Sequence, residues 1–115
     1  MNTQSIRMII NRRAATDDEY QQGVERCWDE LSSALASDYD TARRFMLEEC
    51  TPDEESWVSE VYGEIIRKTQ DRRYVDLLRL AAARFPEEDR KYRMREILER
   101  DIAAYYTGER DGTKA

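Results

Sequence analysis

Apolar residues recur at intervals of three and four along nearly the whole chain, a spacing that fits amphipathic helices and not alternating strands. Tyr20, Val24, Cys27, Trp28, Leu31 and Leu35 form one such stripe. Trp57, Val58, Val61, Tyr62, Ile65 and Ile66 form a second. Tyr74, Val75, Leu77, Leu78, Ala81, Ala82 and Phe85 form a third, and Met94, Ile97, Leu98, Ile102 and Tyr105 a fourth. With 115 residues and one run of stripes, the expectation is an all-α, single-domain bundle of five or six helices with short antiparallel connections. That domain is expected to span residues 1–106, and the polar stretch 107–115 to be a flexible tail.

Local signals set the helix ends. Thr16-Asp17-Asp18-Glu19 reads as a capping box opening a helix that stops near Ser37. Asp40 is expected to cap a shorter helix reaching Cys50, with Ala42, Phe45, Met46 and Cys50 inward. Thr51 caps the next, with Pro52 in its first turn and Glu54 completing a second capping box. Thr69-Gln70-Asp71 marks a tight junction, and Pro86-Glu87-Glu88-Asp89 opens the last helix, where the dipole favours acids. Ile6, Met8, Ile9 and Ile10 form either a short helix on the bundle or an edge strand, and the helix is favoured.

Composition removes many activities. Histidine is absent, and with it the Ser-His and Cys-His nucleophile pairs and the commonest neutral-pH proton shuttle and metal ligand. No phosphate-binding loop is present, and the four glycines are scattered. Cys27 and Cys50 have no CxxC spacing and read as buried thiols. No cofactor, metal site or small-molecule substrate is expected. No apolar run nears the roughly 20 residues of a membrane span, and the amino terminus has too short an apolar centre for a secretory signal. A cytoplasmic chain with no membrane partner, monomeric when free, is the expectation.

Charge is unevenly spread. Residues 16–64 carry fifteen Asp or Glu and three Arg, whereas residues 65–100 carry eleven basic and seven acidic residues. An acidic half disfavours nucleic acid and speeds encounter with a basic protein. On a helical wheel continued through the second stripe, Ser56, Glu60 and Gly63 face outward, with Ser59 and Glu64 at the flanks. A glycine there is either tolerated drift or a place of close approach for another chain. Asp53, Glu54, Glu55, Glu60, Gly63 and Glu64 are therefore the candidate partner-binding surface.

Glu49 and Asp101 fall inside apolar stripes and need partners, with the sixteen arginines the ready source. As an acid and base pair they would also need a substrate pocket, which nothing else in the sequence indicates, so no catalytic residue is assigned. The basic runs Arg67, Lys68, Arg72, Arg73 and Arg90, Lys91, Arg93, Arg95 offer phosphate contacts, as do Arg12 and Arg13, but acids interrupt the two runs.

The segments IIRKTQDRRYVDLL and LAAARFPEEDRKY, within Trp57 to Tyr92, resemble the carboxyl-terminal half of small helical immunity proteins of bacterial contact-dependent growth inhibition systems. The resemblance implies a non-catalytic protein that neutralises a cognate toxin domain, often a basic nuclease, by stoichiometric binding. It assigns no contact residue. The alternatives are a helical nucleic-acid-binding regulator using the Arg clusters and a small carboxylate-dependent hydrolase using Glu49 and Asp101.

Overall fold

The computed structural model describes residues 2–108, and among these it is helical with no strand. The helices are α1 (Thr3–Ala15), α2 (Gln21–Ser37), α3 (Tyr39–Arg44), α4 (Pro52–Ser59), α5 (Tyr62–Thr69), α6 (Arg72–Ala83), α7 (Pro86–Tyr92) and α8 (Met94–Tyr105), with a π-helical turn at Phe45–Glu49. Buried apolar side chains from every helix except α7 join in one core cluster. The expected five or six helices become eight because the amino-terminal segment is a full helix and two expected helices are each broken in two.

Ile6 and Ile10 lock α1 onto the core with almost no exposed surface, and Asn2 caps it by accepting from the Ser5 N–H at 3.0 Å. The helix option for the amino terminus is the one adopted. Thr16 closes this helix instead of opening the next: its hydroxyl donates to the Arg12 carbonyl at 2.7 Å and its N–H to that of Arg13 at 3.1 Å. The expected capping box at Thr16–Glu19 therefore does not form, and α2 starts at Gln21 with no side-chain cap. Val24, Cys27, Leu31 and Leu35 are buried as expected, Tyr20 is 55% exposed, and Trp28 is half-buried.

Asp38, not Asp40, caps α3, accepting from the Thr41 hydroxyl at 2.8 Å and from the Thr41 N–H at 3.4 Å. Beyond Arg44 the helix widens, and the Cys50 N–H reaches back five residues to the Phe45 carbonyl at 2.8 Å. The widened turn keeps Phe45, Met46 and Cys50 inward. It also frees the Met46 carbonyl, which accepts from Arg84 Nη1 at 2.8 Å. Both cysteines are free and buried.

The capping box of α4 is complete, with Thr51 and Glu54 exchanging hydrogen bonds at 2.9 and 3.1 Å. The helix expected to continue to Ile66 instead ends at Ser59. Glu60 and Val61 tighten into three-residue hydrogen bonds to Trp57 and Val58, and Val61 leaves helical geometry at φ −114°, ψ 12° before α5 begins. Val58, Val61, Tyr62, Ile65 and Ile66 are still buried, because the break re-aims α5 without removing its apolar face from the core.

A left-handed Gln70 (φ 48°) ends α5, and its side chain ties the end of α8 to this junction. Its Nε2 donates to the Tyr105 carbonyl at 2.7 Å, and its Oε1 accepts from the Thr107 N–H at 2.8 Å. Thr107, expected to open the tail, is thus held by the folded body; residues 109–115 of the expected tail lie outside the described residues. A second left-handed residue, Arg93 (φ 54°), divides α7 from α8 where one helix was expected. Asp89 stabilises that corner by accepting from both the Arg95 N–H (2.8 Å) and its Nε (2.9 Å), which holds the Asp89 carboxyl below its ordinary range. On α8, Tyr105 is 43% exposed and Tyr106, just past the helix, is buried in its place.

The break at Val61 also changes what faces Gly63. A Cβ at that position would lie 3.1 Å from the Tyr105 ring and 3.2 Å from the Asp101 carboxyl group. Gly63 is the point where α8 approaches α5, not an outward-facing gap. Because the half-exposed Tyr105 ring has room to turn, Gly63→Ala is expected to change stability by no more than about 1 kcal/mol. Gly63→Leu is expected to cost about 1–3 kcal/mol by overpacking, read from urea unfolding midpoints.

Candidate functional site

The six residues expected to form one acidic face have separate fates. Asp53 is exposed in the first turn of α4. Glu54 accepts from Arg7 Nε at 2.9 Å while completing its capping box. Glu55 has no accessible surface. Glu60 accepts from Arg13 Nε at 2.9 Å, from Arg13 Nη2 at 3.1 Å and from the Trp28 indole N–H at 2.9 Å. Gly63 sits under α8, and Glu64 is paired with Arg67 on its own helix. The expected strip does not exist as one surface, because the wheel was continued through a break.

Two of the six, Asp53 and Glu60, do come together with Asp101 in a groove of about 480 Å³ between α2, α4, α7 and α8. Its apolar walls are Trp28, Trp57, Tyr92 and Ile97, and Arg100 stands beside Asp101. One wall is prebuilt by Arg13, whose buried guanidinium lies 4.9 Å from the Trp57 ring centre and also donates to Asp18 at 3.1 Å. Glu60 is therefore neutralised from inside, which leaves Asp53 and Asp101 as the groove's uncompensated acids on this side. Burial pushes the Asp101 carboxyl above its ordinary range, and nearby Arg100 opposes the shift. Sequence reasoning placed Trp28 and Trp57 in the core and gave Tyr92 no role. The groove depends on how α7 turns at Arg93, which no local signal marks.

Glu55 belongs to a second, enclosed cluster. The Tyr62 hydroxyl donates to its Oε2, and the Cys50 thiol lies 3.6 Å from its Oε1. Burial raises the Glu55 carboxyl to about 7, with the Tyr62 and Cys50 hydrogen bonds and the Arg84 charge pulling the other way. Burial likewise pushes the Cys50 thiol to about 12, so it is an inert structural thiol. Glu55 and Tyr62 have no accessible surface, and this cluster ties the end of the π-helical turn to α5.

Glu49 accepts from the Thr3 hydroxyl at 2.8 Å and pairs with Arg44 at 3.3 Å, while Asp101 lines the groove. The two acids share no partner, so the arrangement of an acid and base pair is not present. Among the described residues no three His, Cys, Asp or Glu side chains are grouped to hold a metal ion. No described helix is long and apolar enough to cross a membrane. The first basic run is engaged, Arg67 with Glu64, Lys68 with Asp29, Arg72 with Asp76 and Arg73 with Asp71, whereas in the second only Arg95 is paired, with Asp89, and Arg90, Lys91 and Arg93 are exposed without an ion pair among the described residues. No protein-family model matches the chain, and no curated protein or solved structure is significantly similar to it.

The Glu55 carboxyl gives the pH dependence a definite sign. Its folded value of about 7 exceeds the ordinary 4.5, so the native state holds a proton that the unfolded chain releases. The contribution of Glu55 to stability is accordingly expected to be fully present below 4.5, to fall by roughly 3 kcal/mol as pH rises to about 7, and then to level off, while Asp38, Asp71, Asp89 and Glu99, held below their ordinary range, act in the opposite sense in acid. Glu55→Gln, which keeps an acceptor for Tyr62, should flatten that part of the curve. An unchanged slope in urea titrations across this range would place the proton elsewhere.

Proposed function

We propose that the chain is a non-catalytic immunity-type protein that neutralises a basic toxin domain, a nuclease, by one-to-one binding through its acidic amino-terminal half. The observation that carries this reading is the segregation of charge: fifteen acids against three arginines over residues 16–64. Internal pairing reduces that charge but does not remove it. At least eight of these acids, Asp18, Asp29, Glu30, Glu48, Glu49, Glu54, Glu60 and Glu64, meet a cation of this same chain. Asp17, Glu19, Glu25, Asp40 and Asp53 remain exposed with no ion pair among the described residues. Unpaired surface acids are the ones that steer a positively charged partner, since a paired carboxylate contributes little field at a distance. Trp28, Trp57 and Tyr92 beside Asp53 supply the aromatic surface from which interfaces draw most of their affinity.

The nucleic-acid reading has weaker support, because the first arginine run is paired with acids and the second leaves only Arg90, Lys91 and Arg93 unpaired, a short cluster in a chain of net charge −6. The hydrolase reading loses its acid and base pair, since Glu49 and Asp101 have separate surroundings.

The reading is tested by producing the chain together with the toxic domain encoded beside its gene. Cells should survive only when the chain is present, and the purified pair should form a one-to-one complex. The triple variant Asp17→Asn, Glu19→Gln, Glu25→Gln should lower the association rate constant several-fold at low salt and flatten its salt dependence, with the dissociation rate nearly unchanged. No protection, or an association rate indifferent to these charges, would overturn it.

A further inference from the structure

The chain handles its own arginines in a recurring way. Arg7 lies 5.4 Å from the centre of the Phe45 ring while donating to Glu54, and Arg73 lies 4.5 Å from that of Tyr39 while paired with Asp71. Arg13 repeats the arrangement with Trp57 and Glu60. Each guanidinium has an aromatic face on one side and a carboxylate at its edge, the two surfaces that a planar, weakly hydrated cation with five N–H donors satisfies at once. The groove between α4, α7 and α8 holds the same components without such a guanidinium. Tyr92 is 51% exposed, and Asp53 and Asp101 line the same cavity. Arg100 also lines it but forms no ion pair with either acid among the described residues.

We infer that this groove seats one arginine side chain of the bound protein, its guanidinium stacked on Tyr92 and shared by the carboxylates of Asp53 and Asp101. A volume of about 480 Å³ admits a side chain of that size and lies within the usual range for small-ligand sites. Lysine is the poorer fit, because its compact ammonium is more strongly hydrated and cannot lie flat on a ring. Anionic groups are disfavoured, since the two free acids outnumber Arg100 and the remaining pair, Glu60 with Arg13, is neutral. The half-buried Asp101 carboxyl, whose ionised form burial disfavours, regains what it lost to solvent when a cation fills the groove.

The inference rests on the binding reading above, and its test separates the two. The ¹⁵N-labelled full-length chain is titrated with N-acetyl-arginine methylamide and with the neutral isostere N-acetyl-citrulline methylamide, following the indole N–H signals of Trp28 and Trp57 and the amides of Ile97 and Asp101. The arginine probe should give saturable shifts, and the citrulline probe should bind about tenfold more weakly. Asp101→Asn and Tyr92→Ala should each weaken the arginine probe several-fold, whereas Arg100→Gln should tighten it by removing a competing charge. Because Tyr92 and Arg100 are exposed, those two variants stay informative if Asp101→Asn disturbs folding. No saturable shift, equal response to both probes, or indifference to all three substitutions would overturn the site. A chain that ignores the probe yet still protects cells keeps the proposed function and loses this groove. A chain that binds the probe but protects nothing keeps the guanidinium site and loses the function.

Discussion

A carboxyl group with no accessible surface, held by a tyrosine hydroxyl seven residues further on, governs the middle of this molecule. The two residues lie on either side of the turn at Glu60 and Val61, so the Glu55–Tyr62 bond ties α4 to α5 across the point where the chain changes direction. Cys50 brings the end of the π-helical turn to the same carboxyl, and Arg84 closes the cluster by capping the Met46 carbonyl that the turn leaves free. Burying such a group is costly unless each polar atom finds a partner, and here each does. Cys50 and Tyr62 thus meet on one carboxyl, and Arg84 joins α6 to them through Cys50 and the Met46 carbonyl.

A second polar anchor works from the amino terminus. Arg13 is buried, yet its guanidinium is surrounded by Glu60, Asp18 and the Trp57 ring, so the charge is compensated on its edges and its face. Glu60 receives the Trp28 indole N–H as well, which links α1, α2 and the end of α4 through a single carboxylate. Removing Glu60 would leave the buried Arg13 guanidinium with only the exposed Asp18 to match it, which costs more than an exposed ion pair is worth. The same set makes one wall of the groove rigid, because the Trp57 ring is held on one face by Arg13. Preorganised aromatic walls lose little side-chain entropy when a ligand arrives.

How much of this was legible in the sequence depended on range. The Thr51–Glu54 capping box and the inward stripes of α5 and α6 were readable because their partners lie within a turn or two of the same helix. Thr16 looked equally like a cap, but the Glu19 N–H that its oxygen would have accepted donates to the Asp17 carboxylate instead, and the Thr16 hydroxyl turns back to the Arg12 carbonyl of α1. The breaks at Val61 and Arg93 carry neither proline nor glycine at the breaking residue. Each is spanned by a side-chain contact between its flanks, Glu55 with Tyr62 in one case and Asp89 with Arg95 in the other. Gly63 was misplaced for that reason: an outward position on a continuous wheel becomes the floor beneath Asp101 and Tyr105 once the helix is cut. Of the expected acidic face, Asp53 and Glu60 line the groove, while its walls Trp28, Trp57 and Ile97 read as core because helical spacing cannot distinguish full burial from half.

Charge was legible in sum and not in place. The acidic half is written in the sequence, yet Arg7 and Arg13 reach across more than forty residues to cancel Glu54 and Glu60, the acids that looked most available. Long-range pairing of this kind follows from α1 lying against α4, a packing choice that no local pattern encodes. Its effect on recognition is to sharpen the negative field, not to abolish it. Paired carboxylates become fixed dipoles that give a surface shape, whereas the unpaired acids at the α1–α2 connection and in the first turn of α4 keep the net charge that acts at a distance. Of these acids, Asp53 stands beside Trp28, Trp57 and Tyr92, so one unpaired charge and the exposed aromatic surface share a groove.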